Sequence, residues 1–460
     1  MKHSDSSPRR ISLHGQWSSR LAFILAASGS AIGLGNIWKF PYVTGQNGGG
    51  AFVLLYLLCI ALIGLPIMIA EIMLGRRGRQ SPMNTMATLA REEGAPRIWR
   101  WLGGMGIAAG VMILSFYSVI GGWTVAYAVK AAANDFAGGD GASMSALFAA
   151  FVGSWERLLL WHTLFMVMTM LVVARGVRGG LERATTLMMP GLLLIMVLLL
   201  GYAIAEGDFP RALNYLFNPD FSKLTADSVV VAMGQAFFTL SLGMGAIMMY
   251  GSYLPDRVSI ARSAVVVALA DTAVAILAGL VVFPIVFGFG LATGAGPGLI
   301  FETLPIAFGR MPGGAVIGAL FFVMLILAAW TSAISIIEPA VAYLVENRGL
   351  SRAGAATVAG MVTWALGIGT VLSFNHWAEL KLLGKTFFDW MDYLTANVML
   401  PLGGMLIAVF AAWVMKREHA LGELQMADGP AFEIWHVLVR FVAPLGVLLV
   451  FLSALGIIRA

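Results

Sequence analysis

The sequence predicts an all-α membrane protein: eleven transmembrane helices in a five-plus-five inverted repeat, with helices 1 and 6 broken. Three observations predict it. The 460 residues are 59% hydrophobic and only 12% charged, with a mean hydropathy of +0.85; a soluble domain carries about twice that charge fraction. Apolar runs of about 18 or more residues, long enough to cross a bilayer, occur eleven times. The first and sixth of these runs hold glycines and polar residues where Leu or Val would complete a helix.

Segment 1 covers roughly residues 18–42 and follows 17 polar, basic residues. No small-residue cleavage site ends it, so it reads as a retained span rather than a signal peptide. Within it, Ser30 to Phe40 contains two glycines, Asn36 and Lys39. Segments 2 to 5 are 51–75, 101–130, 158–174 and 184–205. Segment 6, residues 228–253, is interrupted at Ser241-Leu242-Gly243-Met244-Gly245. Segments 7 to 11 are 262–290, 313–345, 353–374, 386–415 and 434–458. The stretch Leu299 to Gly309, between Pro297 and Pro312, is too short to span and reads as an external helical cap. The loop from Lys416 to Glu433 is the longest polar connection.

Lipid cannot solvate open backbone, so a break at membrane depth survives only where it lines a protein-enclosed cavity. Residues 18–205 and 228–415 form two five-helix halves of one domain, 1–460, with 434–458 as an extra helix. Five is odd, so the second half enters the membrane from the opposite side. Two interrupted segments in matching positions point to a midplane binding site in a secondary transporter. With the N-terminus cytoplasmic, 20 Lys and Arg fall inside and 8 outside. That split predicts N-terminus in and C-terminus out.

Several classes are excluded. One cysteine, Cys59, permits no internal disulfide and argues against a Cys-based metal site. Gly48-Gly49-Gly50 follows no strand, which weakens a nucleotide reading and disfavours an ATP-driven pump. No catalytic constellation is present, so an enzyme reading has no supporting residues. The net charge of +5 reads as basic cytoplasmic loops rather than nucleic-acid binding. Ionisable groups at membrane depth are functional candidates by default: Lys39, Glu71, His162, Asp271, Glu338 and Asp392. Asn36, Tyr117, Thr239, Ser241, Thr331 and Ser332 add amide and hydroxyl oxygens. Each has a plainer use. Hydroxyls bond back to their own helix, aromatic rings pack, and an interfacial Lys snorkels. His162 reads as an interhelical hydrogen bond, and Glu71 and Glu338 as supports for the unwound regions.

The runs Trp17-Ser-Ser-Arg20, Ala31-Ile-Gly-Leu-Gly-Asn36, Phe40-Pro41 and Gln46-Asn-Gly-Gly-Gly-Ala-Phe52 resemble the neurotransmitter:sodium symporter family. So does Gly234-Gln-Ala-Phe-Phe-Thr-Leu-Ser-Leu-Gly-Met-Gly245. The resemblance covers most of the chain, and eleven spans match a shorter bacterial subset. It implies a bundle of segments 1, 2, 6 and 7 rocking against a scaffold of 3, 4, 8 and 9. It implies two sodium sites. The first would use Ala31, Asn36, Thr239 and Asp271 with the substrate carboxylate, and the second Gly29, Ile32, Ala328, Thr331 and Ser332. A hard cation wants several oxygens, and an unwound helix exposes them. The implied substrate pocket holds Ile113, Tyr117, Phe238, Ser241, Met244 and Ile336, with Ala31 and Thr239 alongside, and Leu34 and Gly35 offering N–H groups.

Gates follow from the same resemblance. Lys39 and Asp392 match the external pair, with Phe238 as a lid over Tyr117. Trp17, Tyr253 and Glu346 match the cytoplasmic gate; where the family usually has Arg opposite Glu346, this chain has His14. Gly33 stands where amine-carrying members have Asp, and Met244 where others have Phe. Asp271 and Ala275 stand where chloride-using members have Asn and Ser. The resulting expectation is a sodium-coupled, chloride-independent symporter of apolar L-amino acids working by alternating access. It would sit in a bacterial inner (cell) membrane and contact lipid, with no nucleic-acid partner and an open oligomeric state. Proton coupling on the same fold through Asp271 or Glu338, and a non-transporting amino-acid receptor, are the alternatives. A channel would need a continuous polar pore.

Overall fold

The computed structural model of the chain describes residues 10–291 and 298–454. Lys2, Arg9, Pro297, Arg459 and residues 455–458 of segment 11 lie outside the described residues. Among the described residues the chain is all-helical, with two isolated bridges and no strand. Among the described residues nine helices are long and apolar enough to cross a membrane, and ten if the pair Arg20–Ala31 and Gly35–Gln46, bent by 53°, forms one span. Segment 6 adds Ala226–Thr239 and Ala246–Ser252, whose second part is seven residues long.

Segment 1 runs to Gln46, beyond the expected end at 42. Pro41 does not stop it: the proline sits where the wide π-type turn Gly35–Lys39 passes into the α-helix Phe40–Gln46. Segments 2 to 5 are Gly50–Gly78, Arg97–Ala132, Trp155–Val173 and Val177–Glu206. Segments 7 to 11 are Ile260–Gly288, Gly314–Arg348, Arg352–Ser373, Phe387–Val414 and Pro430–Ser453. Four further helices were not legible as spans: Pro82–Glu92, Gly141–Val152, Phe209–Phe217 and Arg417–Leu424. They are short or polar, and local signals start them. Asp140 and Ser143, for example, form a reciprocal cap ahead of Gly141–Val152. The cap at 299–310 is seated by Phe301, whose ring centroid lies 5.5 Å from Trp123 and 5.0 Å from Tyr127.

The outward faces are apolar. Leu160, Leu164, Val167 and Leu171 form an exposed stripe at helical spacing on segment 4, as lipid contact requires. The opposite face carries His162, fully buried, whose Nδ1 lies 3.0 Å from Ser118 Oγ and whose Nε2 lies 3.2 Å from the Trp364 carbonyl. It ties segments 3, 4 and 9 together. Close backbone approaches define the centre. A Cβ on Gly75 would sit 1.9 Å from the Met248 carbonyl, and one on Gly251 2.6 Å from that of Ile72. Segment 2 and the second half of segment 6 therefore touch backbone to backbone.

Candidate functional site

Both breaks arise from local backbone chemistry. Segment 1 stops being helical at Ile32, whose ψ of 101° turns its carbonyl out of the ladder, and resumes as a wide π-type turn at Gly35–Lys39. In segment 6, Ser241 (φ 53°), Gly243 (φ 80°) and Gly245 (φ 77°) all adopt left-handed backbone. A non-glycine residue there is strained, and Ser241 is held by donating its hydroxyl to the Ser30 carbonyl at 2.8 Å. Gly243 donates its N–H to Glu71 Oε2 at 3.2 Å, so Glu71 supports an unwound region as expected. Glu338 does not. It is paired with Arg352 of segment 9 and accepts the Tyr253 hydroxyl at 2.5 Å.

The two breaks and segments 3 and 8 enclose a central cavity of ≈ 20 Å³. Ala31, Gly35, Ile113, Tyr117, Phe238, Thr239, Ser241, Met244 and Ile336 line it, with Ser30, Gly33 and Ser332. Leu34 faces a neighbouring cavity of ≈ 240 Å³ instead. Its N–H is given to Tyr117 Oη at 3.2 Å. Phe238 and Tyr117 line both cavities and so form the partition between them. The central cavity has room for about one water, and Phe238, half-buried, stands between it and the larger cavity.

Asp271 is fully buried and gathers neutral donors only. Asn36 Nδ2 lies 2.7 Å from Asp271 Oδ1, Thr239 Oγ1 lies 3.0 Å from both carboxylate oxygens, and Tyr56 Oη lies 3.4 Å from Oδ2. Asn36 Oδ1 accepts the Gly33 N–H at 3.0 Å. The buried carboxylate is thus satisfied by one amide N–H and two hydroxyls, and its oxygens together with the Thr239 hydroxyl are of the type a hard cation takes.

A second convergence lies at Ser332. Its Oγ is 3.3 Å from the Gly29 carbonyl, 3.2 Å from that of Ser30 and 3.3 Å from that of Ile32. One hydroxyl proton serves one acceptor, so Ser332 satisfies at most one of these carbonyls at a time. Thr331 Oγ1 lies 3.1 Å from the Ala328 carbonyl, and a Cβ on Gly29 would meet Thr331 Cβ at 3.1 Å. The structure thus brings Gly29, Ile32, Ala328, Thr331 and Ser332 to one place.

At the gates the two ends differ. Lys39 and Asp392 share the wall of the larger cavity but form no ion pair among the described residues. Lys39 Nζ instead lies 4.7 Å over the Phe238 ring, because the cavity separates the two charges. The opposite end is closed. Trp17 is buried, donates its indole N–H to the Tyr250 carbonyl at 3.0 Å and its backbone N–H to that of Tyr253 at 3.0 Å. His14 Nε2 lies 3.0 Å from Glu346 Oε1. Glu346 also accepts the Ser81 N–H at 2.8 Å, the Ser81 hydroxyl at 2.5 Å and Asn84 Nδ2 at 2.7 Å.

Arginine offers a planar fork of donors and a permanent charge where histidine offers two ring nitrogens. His14→Arg is expected to tighten the contact with Glu346 and so to slow uptake. Glu346 keeps its Ser81 and Asn84 donors in either protein, so the change should be only a few-fold. Equal uptake rates of the two proteins would contradict this.

Residues that the sequence reading did not assign complete the site: Tyr56 on Asp271, Ser30 between the pocket and Ser332, and Gln235, whose Nε2 donates to the Gly35 carbonyl at 3.0 Å. Gln235 stands within a quoted motif, and that was its one available signal.

A profile of the sodium:neurotransmitter symporter family matches residues 14–141 and 149–459. The chain belongs to the sodium:neurotransmitter symporter family. Among its relatives is the uncharacterized sodium-dependent transporter YhdH of Bacillus subtilis, 40% identical over 96% of this chain and 98% of that protein. An uncharacterized sodium-dependent transporter of Haemophilus influenzae is 33% identical over 95% of this chain and 98% of that one. The crystal structure of MhsT in complex with L-phenylalanine superposes with a TM-score of 0.89 at 43% identity, covering 96% of this chain and 99% of MhsT. This symporter-family member is therefore a multi-pass membrane protein of a sodium-dependent transporter class, with sodium as its co-transported ion.

Proposed function

We propose that the protein is a sodium-coupled, chloride-independent symporter of apolar L-amino acids that works by alternating access. The observation that carries this is the cluster of Asn36, Thr239 and Tyr56 on buried Asp271 beside the central cavity. The substrate carboxylate would complete the first sodium site, and Gly29, Ile32, Ala328, Thr331 and Ser332 would form the second. Domain 1–460 would comprise an inverted pair, 18–205 and 228–415, with 434–458 as an added helix, in a bacterial inner membrane with the N-terminus cytoplasmic. On that orientation the closed His14–Glu346 end faces the cytoplasm, and the Lys39–Asp392 cavity is the external approach.

The energetics are adequate. Each sodium moving down about 100 mV releases about 2.3 kcal/mol, and a roughly tenfold gradient adds about 1.4 kcal/mol. Two ions supply on the order of 7 kcal/mol, enough for about 10⁵-fold accumulation of a zwitterion. Coupling requires sodium to bind one state better than the other. MhsT is bound to L-phenylalanine in its crystal structure, which supports an amino acid here.

The test is a thermal-shift screen of the purified protein against twenty amino acids in sodium and in potassium. Stabilisation by apolar L-amino acids in sodium only is the expected result. Equal stabilisation in potassium would favour proton coupling, and binding without uptake in proteoliposomes would favour a receptor. Side-chain tolerance should be broad. Met244 lines the cavity, and an unbranched thioether adapts to irregular volumes. Phenylalanine and tryptophan should displace leucine as valine does; aromatic competitors that leave bound leucine in place would exclude this.

A further inference from the structure

We infer that a hydroxyl bridge between Ser30 and Ser335 is a positioning element that joins the second sodium site to the substrate cavity. This rests on the reading of that site given above. Ser30 Oγ donates to Ser335 Oγ at 2.7 Å, and Ser335 Oγ donates to the Ser332 carbonyl at 2.8 Å. Both serines are buried, Ser30 at 1% exposure and Ser335 at 0%. The bridge crosses from segment 1, two residues before its break, to segment 8, one turn beyond Ser332.

The Ser30 carbonyl is what this bridge holds in place. It accepts the Ser241 hydroxyl from the break of segment 6 at 2.8 Å and lies 3.2 Å from Ser332 Oγ. When a sodium ion takes the Gly29 and Ile32 carbonyls and the lone pairs of Ser332 Oγ, the Ser332 proton must turn away from the ion. The Ser30 carbonyl is the acceptor within reach that the ion does not occupy. A carbonyl has two lone pairs, and both are then used. One takes a hydroxyl that holds sodium, and the other takes a hydroxyl from the wall of the cavity. Ordering either side orders the other, and the Ser335 hydroxyl keeps the joint in register. Neither Ser30 nor Ser335 touches the ion directly in this scheme, so each acts by positioning.

The experiment is a double-mutant cycle on sodium titrations of amino-acid binding, using Ser30→Ala, Ser335→Ala and the double variant. One buried hydrogen bond is worth about a fivefold change. Each single variant should therefore raise the half-saturating sodium about fivefold, and the double variant by no more than either single one. The rise in melting temperature on exchanging potassium for sodium should shrink in all three variants. A merely structural role would lower the melting temperature equally in both salts. Ser335→Thr, which keeps a hydroxyl, should restore the wild-type titration. Additive effects, or unchanged sodium titrations in the single variants, would overturn the bridge while leaving the symporter reading intact. Thr331→Ala serves as the reference. If it leaves sodium dependence untouched, or if wild type shows none, the reading of the second site falls and the bridge with it.

Discussion

Asp271→Asn is expected to weaken sodium activation of uptake by about 100-fold. Removing one partner of a buried charge pair costs about 3–5 kcal/mol, and about 1.4 kcal/mol is a tenfold change. Asn keeps one oxygen for the ion, which places the effect at the lower end. The geometry explains why no neighbour can compensate. Asn36, Thr239 and Tyr56 supply only neutral groups, and Asp271 is fully buried. On the proposed reading the same carboxylate would make an external anion redundant, because a negative charge beside sodium in a low-dielectric site would do the electrostatic work of chloride. Ala275, one helical turn on and also buried, offers no hydroxyl to hold an anion. Uptake by the wild type should survive replacement of chloride by gluconate; a large loss would defeat the prediction. Asp271→Asn combined with Ala275→Ser is the variant in which chloride should begin to stimulate uptake. Sodium titrations of radiolabelled leucine uptake in both salts measure the whole set.

Gly33→Ala should abolish most sodium-dependent binding, and Gly33→Asp should not convert the protein into an amine carrier. A Cβ at Gly33 would lie 2.6 Å from Ser332 Oγ and 2.9 Å from Tyr117 Oη. Both neighbours are committed. Ser332 sits among three carbonyls, and Tyr117 accepts the Leu34 N–H. Overpacking of a filled interior costs about 1–3 kcal/mol, which corresponds to a loss of about 5- to 100-fold. The steric argument stands apart from the charge argument, which concerns the wild type. With glycine at 33 nothing there replaces the carboxylate of an amino acid, so phenethylamine should bind far more weakly than phenylalanine. Isothermal titration of both ligands decides it. Comparable affinities would refute the role of the substrate carboxylate, and an unperturbed Gly33→Ala would refute the packing.

Much of the architecture was legible because bilayer physics writes it into composition. Segments 2 to 5 and 7 to 10 start and stop within a few residues of their apolar runs, except at the start of segment 5, since hydrophobic length is a one-dimensional property. The breaks at Gly33 and at Ser241–Gly245 were legible for the complementary reason: open backbone at membrane depth needs glycine and polar residues. Lys39 shows the limit. Its position in segment 1 was plain, but its contact with the Phe238 ring rather than Asp392 depends on the width of a cavity that no single segment encodes. Glu338 is another case. A carboxylate in the middle of segment 8 suggested support for an unwound helix, and only the placement of segment 9 brought Arg352 to it. The helix Arg417–Leu424 escaped notice because charge and short length disguise it as loop.

The sequence by itself determined that this chain is a helical membrane protein with two broken spans and few ionisable groups at depth, and its motifs carried the family. These follow from transfer free energy and backbone hydrogen bonding, which act along the chain. Only the tertiary structure decided which oxygens meet. Ser30, Ser241 and Ser332 stand on three different segments, and their convergence on one carbonyl is a product of helix packing. The same holds for Tyr56, 215 positions before Asp271 and 3.4 Å from its carboxylate. Distance in space between remote residues is set by how glycine-lined backbones approach one another, and no local pattern records it.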